Sequence, residues 1–129
     1  MKKAAIIGGS MSGLFAANFL KQINWDYSIH EMVPEPLSGR GAGIATYDEL
    51  AELVKLTTGY KQSLGTTCDE RIVLNKKNSV VTKMKYPQVF TSWQYLYDVL
   101  LSNIDKKKYF LGDECIQILK KDNINKIAL

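Results

Sequence analysis

Apolar residues first come as a short unbroken run, Ala4 to Ile7, closed by Gly8 and Gly9. Such a run is the pattern of a strand covered on both faces. From Ser12 to Ile23 the spacing becomes helical, with Leu14, Phe15, Phe19, Leu20 and Ile23 on one stripe. Ala16 and Ala17 add small surfaces where a helix can lie close to a sheet, and Asn24 is a plausible stop because Asn tolerates the left-handed conformation. Trp25, Tyr27 and Ile29 then alternate with Asp26, Ser28 and His30, which predicts a second strand ending near Glu31. Strand, glycine turn, helix and strand make a βαβ unit, whose right-handed crossover demands a parallel sheet.

After Glu31 the pattern departs from a plain continuation of crossover helix and third strand. Pro34 and Pro36 hold the chain extended, and "LSGRGAGIAT" brings three glycines round an arginine. Thr46 to Glu49 has capping-box spacing, and Leu50, Leu53, Val54 and Leu56 supply an apolar stripe up to Gly59. Arg71 to Pro87 reads as a hairpin turning at Lys76 to Ser79. A helix is expected from Ser92 to Asn103, capped by Thr91 or Ser92 with Leu96, Val99, Leu100 and Ile104 inward. Short strands are expected near Tyr109 to Leu111 and Cys115 to Leu119. The fold class is therefore α/β: a Rossmann-like βαβ unit with a parallel sheet and an added β-hairpin.

Composition adjusts this picture little. At 129 residues with 46% apolar and 23% charged positions, one globular domain is the expectation. The net charge of +4 comes from scattered lysines without a nucleic-acid motif, so no nucleic-acid partner is expected. Cys68 and Cys115 form neither a CxxC nor a zinc-ligand pattern, and they read as reduced thiols. The early apolar run is too short for a signal peptide or a membrane span, so the expected location is cytoplasmic, with no membrane partner.

The chemistry is carried by "IIGGSMSGL". A dinucleotide fingerprint reads Gly-x-Gly-x-x-Gly at the first strand-to-helix turn, and here Ser10 stands at the middle glycine. Each position has a physical task. Gly8 allows the tight turn, small residues at Gly9, Ser10 and Ser12 let backbone N–H groups approach a pyrophosphate, and Gly13 lets helix and strand pack closely. Glu31, 18 positions after Gly13, would accept hydrogen bonds from a ribose diol and repel a 2′-phosphate, which leaves FAD and NAD. Arg40, flanked by glycines, can lay its guanidinium on a phosphate with little obstruction. His30, the only histidine, reads as a packing or surface residue, and no catalytic or metal-binding residue is assigned.

Together with "SIHEMVPEPLSGRGAGI", "YPQVFTSWQYLYDVLL" and "YFLGDECIQI", this stretch resembles the N-terminal part of the class A FAD-dependent aromatic hydroxylases, closest to the branch containing dihydroxypyridine hydroxylase. The resemblance runs in order over essentially the whole chain. It implies that Gly8 to Gly13 bind the FAD pyrophosphate, that Glu31 binds the adenosine ribose, and that Arg40, Gly41, Ala42, Gly43 and Ile44 lie along the cofactor. The family often has an arginine where this chain has Met32, and many members have one where this chain has Trp93.

By resemblance the complete reaction is NAD(P)H- and O2-dependent hydroxylation of an aromatic or heteroaromatic ring, with FAD as cofactor. Family members continue beyond this length with an Asp-Gly motif, a Gly-Asp motif and a substrate sheet. The chain is accordingly read as a truncated N-terminal portion of the FAD/NAD(P)-binding domain, without a substrate domain and inactive alone. A second chain or a C-terminal lobe is a candidate partner. The alternatives are a non-catalytic dinucleotide-binding module and an NAD-dependent dehydrogenase half.

Overall fold

The computed structural model describes residues 1–39, 41–121 and 124–128, with Lys121 and residues 124–126 described by backbone alone. The βαβ unit is formed by β1 (Lys3–Ile7), α1 (Met11–Gln22) and β2 (Asp26–Glu31). β1 and β2 pair in parallel, Ile6 beside Ile29 and Ile7 beside His30. A third parallel strand, β6 (Tyr109–Leu111), joins the other edge of β2, so the sheet order is β1-β2-β6.

A second sheet is antiparallel, with order β3-β5-β4, formed by β3 (Gly43–Thr46), β4 (Thr66–Leu74) and β5 (Val80–Ser92). Helix α2 (Asp48–Thr58) follows β3, helix α3 (Trp93–Ser102) follows β5, and a terminal hairpin joins β7 (Gln117–Lys121) to β8 (Ile124–Ala128). No helix among the described residues is long and apolar enough to cross a membrane.

The helix ends follow side-chain chemistry. Asn24 has φ 56°, the left-handed conformation expected of it, and Gly59 closes α2 at φ 74°. Ser92 caps α3 by accepting the Tyr95 N–H at 3.1 Å. Thr46 does not cap α2. It ends β3, and its hydroxyl donates to the Val89 carbonyl at 2.8 Å, so sheet pairing overrides the capping-box spacing and Tyr47 takes the cap position without a side-chain bond.

One core forms between the parallel sheet and the helices around Leu14, Ala17, Ile29, Val54, Leu96 and Leu100. Asn18, fully buried in α1, donates to the carbonyls of Leu14 and Leu100 and accepts from Asn103 at 2.6 Å. A buried amide satisfied on both sides fixes the register of α1 against α3 in a way that apolar contact alone does not.

Two expectations about burial are corrected. β1 is covered on one face only: Ile6, Ile29 and Tyr109 face the core, whereas Ile7 and Phe110 on the other face remain 47% and 43% exposed. Phe19 in α1 and Ile23 just after it are exposed, because the stripe facing the core is narrower than the apolar stripe. The β4–β5 hairpin also carries exposed Ile72, Val73, Leu74, Val80, Val81 and Met84.

At the amino end of β2, Lys108 Nζ bonds Asp26 Oδ1 at 2.6 Å. This bond holds the Asp26 carboxyl below its ordinary 3.8 and lifts Lys108 above 10.5. The pair therefore contributes fully between those values. Its contribution fades as pH falls through the lowered carboxyl value, and at the other end as pH rises through the raised lysine value. Asp26→Asn is expected to lower Tm slightly at pH 7, because the pair is partly exposed, and to remove part of the decline below pH 3.8. Thermal melts across pH check this.

Candidate functional site

The carboxyl edge of a parallel sheet is where strand ends open onto loops, and ligands of such sheets bind there. Gly8 follows β1, Glu31 ends β2 and Gly112 follows β6, so three loops meet at that edge. The open groove of about 540 Å³ beside Asp26, Tyr27 and Lys108 lies at the opposite, amino end of β2 and contains none of the glycine loop. It is not the candidate.

The turn from β1 into α1 is built tightly. Gly8 has φ 99°, a conformation that side chains rarely adopt, and its N–H donates to the His30 carbonyl at 2.8 Å. A Cβ on Gly13 would lie 2.0 Å from the Gly8 carbonyl oxygen, so helix and turn touch where only hydrogen fits. A Cβ on Gly9 would lie 2.1 Å from the Tyr109 hydroxyl oxygen. Ser10 takes the N-cap position of α1 with extended backbone, but its side chain makes no capping bond.

The N–H groups of Met11, Ser12 and Gly13 consequently have no protein acceptor among the described residues, and the first turn carries no acidic side chain. Free amides and the positive end of the helix dipole suit a bound anion. The donor set therefore fits a pyrophosphate.

Glu31 is placed differently from a solvent-facing ribose ligand. Only 6% exposed, it accepts the Gly9 N–H on Oε2 at 2.7 Å and the Val33 N–H on Oε1 at 3.1 Å. The carboxylate thus ties the end of β2 to the glycine turn. Each carboxylate oxygen has two acceptor sites, so a ribose diol can be added without surrendering either bond. The loop after β2 is fastened in turn to the loop after β6, with Gly112 N–H donating to the Val33 carbonyl and Asp113 N–H to that of Glu31.

Gly41, Ala42 and Gly43 are exposed and Ile44 is half-buried as β3 pairs with β5. The Ala42 carbonyl accepts the Trp93 N–H at 2.8 Å, and the Gly39 N–H donates to Gln94 Oε1 at 3.0 Å. Arg40 lies outside the described residues.

Several side chains at this edge were not signalled by any local motif. Tyr109 donates its hydroxyl to the Gly9 carbonyl at 2.9 Å and lies 3.1 Å from the Tyr97 hydroxyl. His30 stacks on Phe110, and its ring nitrogens bond Ser28 at 2.8 Å and Asp113 at 3.0 Å. The Ser28–His30–Asp113 order mimics a hydrolytic triad, but β2 is the central strand with its backbone paired on both edges. Ser28 lies within this paired strand, opposite Ala5, and the trio braces the sheet.

No family model matches the chain. The curated 2,6-dihydroxypyridine 3-monooxygenase of Paenarthrobacter nicotinovorans is 29% identical over 129 residues, spanning 94% of this chain and 30% of that protein. The solved 2,6-dihydroxypyridine-3-hydroxylase from Arthrobacter nicotinovorans superposes with a TM-score of 0.86 at 25% identity, over 98% of this chain and 32% of its own. HpxO of Klebsiella pneumoniae, complexed with FAD and uric acid, superposes at 0.77 with 18% identity, over 98% of this chain and 34% of its own. That last likeness is one of fold. The chain spans about a third of the length of these relatives, and its resemblance to the dihydroxypyridine hydroxylase branch holds in sequence and in fold.

Proposed function

From this likeness in sequence and fold, we propose that the chain is the N-terminal FAD-binding part of a flavin-dependent monooxygenase. The observation that carries the reading is the uncapped start of α1, where three N–H groups lack acceptors among the described residues beside a carboxylate at the end of the next strand. Met11, Ser12 and Gly13 would donate to the FAD pyrophosphate, and Gly8, Gly9 and Ser10 would let it approach. Glu31 would accept from the adenosine ribose, with Gly41 to Ile44 running along the cofactor and Arg40 assigned there by resemblance.

Bound flavin would supply the redox chemistry for NAD(P)H- and O2-dependent hydroxylation of an aromatic or heteroaromatic ring. The residues of this chain bind and orient the nucleotide end; none is assigned to the reacting atoms. By itself the chain is expected to hold FAD weakly and not to turn over.

The exposed apolar residues of the β4–β5 hairpin and of the open sheet face favour a second element in the functional unit, a further lobe or another chain. They equally favour the alternative of a non-catalytic dinucleotide-binding module. An NAD-dependent dehydrogenase half is the weaker alternative, because the Gly41–Ile44 stretch leads into an antiparallel sheet and not into a second crossover. A cytoplasmic location accompanies the main reading.

Flavin fluorescence titration of the purified chain tests these readings. FAD is expected to bind reversibly, and FMN, which lacks the adenosine, about tenfold more weakly. Equal competition by NAD would favour the dehydrogenase half, and no FAD response would remove the flavin reading. NADPH oxidation dependent on an aromatic substrate by this chain alone would overturn its expected inactivity.

A further inference from the structure

We propose that Tyr109 and Tyr97 are positioning residues that lock the Gly8–Gly13 loop to Gly39 and the Gly41–Ile44 stretch, so that these cofactor-facing elements move as one unit. The path is continuous. The backbone around Gly9 is held from two sides, its N–H by Glu31 at 2.7 Å and its carbonyl by the Tyr109 hydroxyl at 2.9 Å. A phenol has a single proton, and that of Tyr109 goes to the Gly9 carbonyl, so in the Tyr97–Tyr109 pair Tyr97 donates and Tyr109 accepts.

Tyr97 is itself buried, and its ring stacks on Trp93 with centroids 4.8 Å apart and planes 15° from parallel. The Trp93 N–H ends the path at the Ala42 carbonyl, while the adjacent Gln94 holds the Gly39 N–H. One turn of α3 therefore carries the second loop through the Trp93 backbone and the Gln94 side chain, and the first loop through Tyr97 and its bond to Tyr109.

The geometry also explains why Gly9 has no side chain. A Cβ there would lie 2.5 Å from Tyr109 Cζ, so the ring occupies the volume that any other residue would need. Hydroxyl-to-hydroxyl and ring-to-ring contacts leave few independent adjustments, and displacing Gly9 displaces Ala42 through groups that are already packed. The coupling is a property of the free chain; its consequence for FAD rests on the function proposed above.

Site-resolved amide hydrogen exchange on the whole chain tests it, comparing Tyr97→Phe and Tyr109→Phe with Tyr27→Phe, which removes a hydroxyl bonded to Asp105 N–H off the path. Each of the first two variants is expected to speed exchange about fivefold at both Gly9 and Trp93, leaving Leu100 unchanged, whereas Tyr27→Phe should move neither loop amide. Acceleration at Gly9 without Trp93, a proportional rise at every amide, or no change at either loop would each overturn the coupling. If Tyr97→Phe does not fold, Tyr109→Phe alone decides by the same two amides.

In a parallel titration, both on-path variants should weaken FAD about fivefold relative to the unmodified chain. If the unmodified chain does not bind FAD, the functional reading fails and exchange still settles the coupling.

Discussion

Gly13→Ala is expected to destabilise the chain by about 2 kcal/mol and to abolish FAD binding, although alanine is the better helix former. In an open helix the change would stabilise by about 1 kcal/mol. Here the new methyl would lie 2.0 Å from the Gly8 carbonyl oxygen, 3.1 Å from its carbon and 3.3 Å from Ile6 Cγ2. Overpacking of this kind costs about 3 kcal/mol when the obstacle is backbone that cannot rotate away.

The obstacle is indeed fixed. Gly8 is pinned by its N–H to His30, and the Gly8–Gly9 peptide by the Gly9 N–H to Glu31, so relief requires α1 to lift off the sheet. Lifting α1 moves the Met11, Ser12 and Gly13 amides together, which would remove the proposed anion site along with the packing. Urea denaturation should show the loss with an unchanged m-value, and Tm should fall by roughly 8 °C. Gly41→Ala is the control, since a Cβ there meets nothing within 4 Å and should leave stability unchanged.

The βαβ unit was legible because it rests on local signals: an apolar run, a glycine turn, a 3.6-residue stripe and an alternating strand. The fate of Thr46 shows where such signals stop. Its spacing to Glu49 matches a capping box, but the Val89 carbonyl, 43 positions away, claims its hydroxyl for the sheet. β3 was hidden in a glycine-rich stretch that reads as loop, and the start of β4, whose residues are all exposed, offered no alternation between core and solvent to detect.

The same division runs through the site. Gly8 to Gly13 and Glu31 could be listened for at fixed spacing, whereas Tyr109, 100 positions from Gly9, and Tyr97 sit in ordinary amphipathic patterns. Nothing local marks either as a partner of the loop. The two phenols become functional candidates only when topology brings β6 beside β2.

Replacing Glu31 should have the second large effect, and it separates two roles that the fingerprint alone merges. A carboxylate serving only the ribose would leave the free chain unchanged when removed. In the fold, however, Glu31→Ala strands the buried Gly9 N–H and the half-buried Val33 N–H. Two donors lost from a charged acceptor correspond to about 3 kcal/mol of stability. Glu31→Gln keeps one acceptor oxygen but turns an NH2 toward the other amide, so its expected cost is intermediate, about 1.5 kcal/mol.

The order Ala, then Gln, then unmodified should therefore appear in denaturation of the FAD-free chain, and FAD affinity should follow it. Unchanged stability with weakened FAD would return Glu31 to the ribose alone. With the brace in place, the acid would, on the proposed function, select the nucleotide through the same atoms that hold the turn in shape, so no substitution at this position should separate affinity from stability.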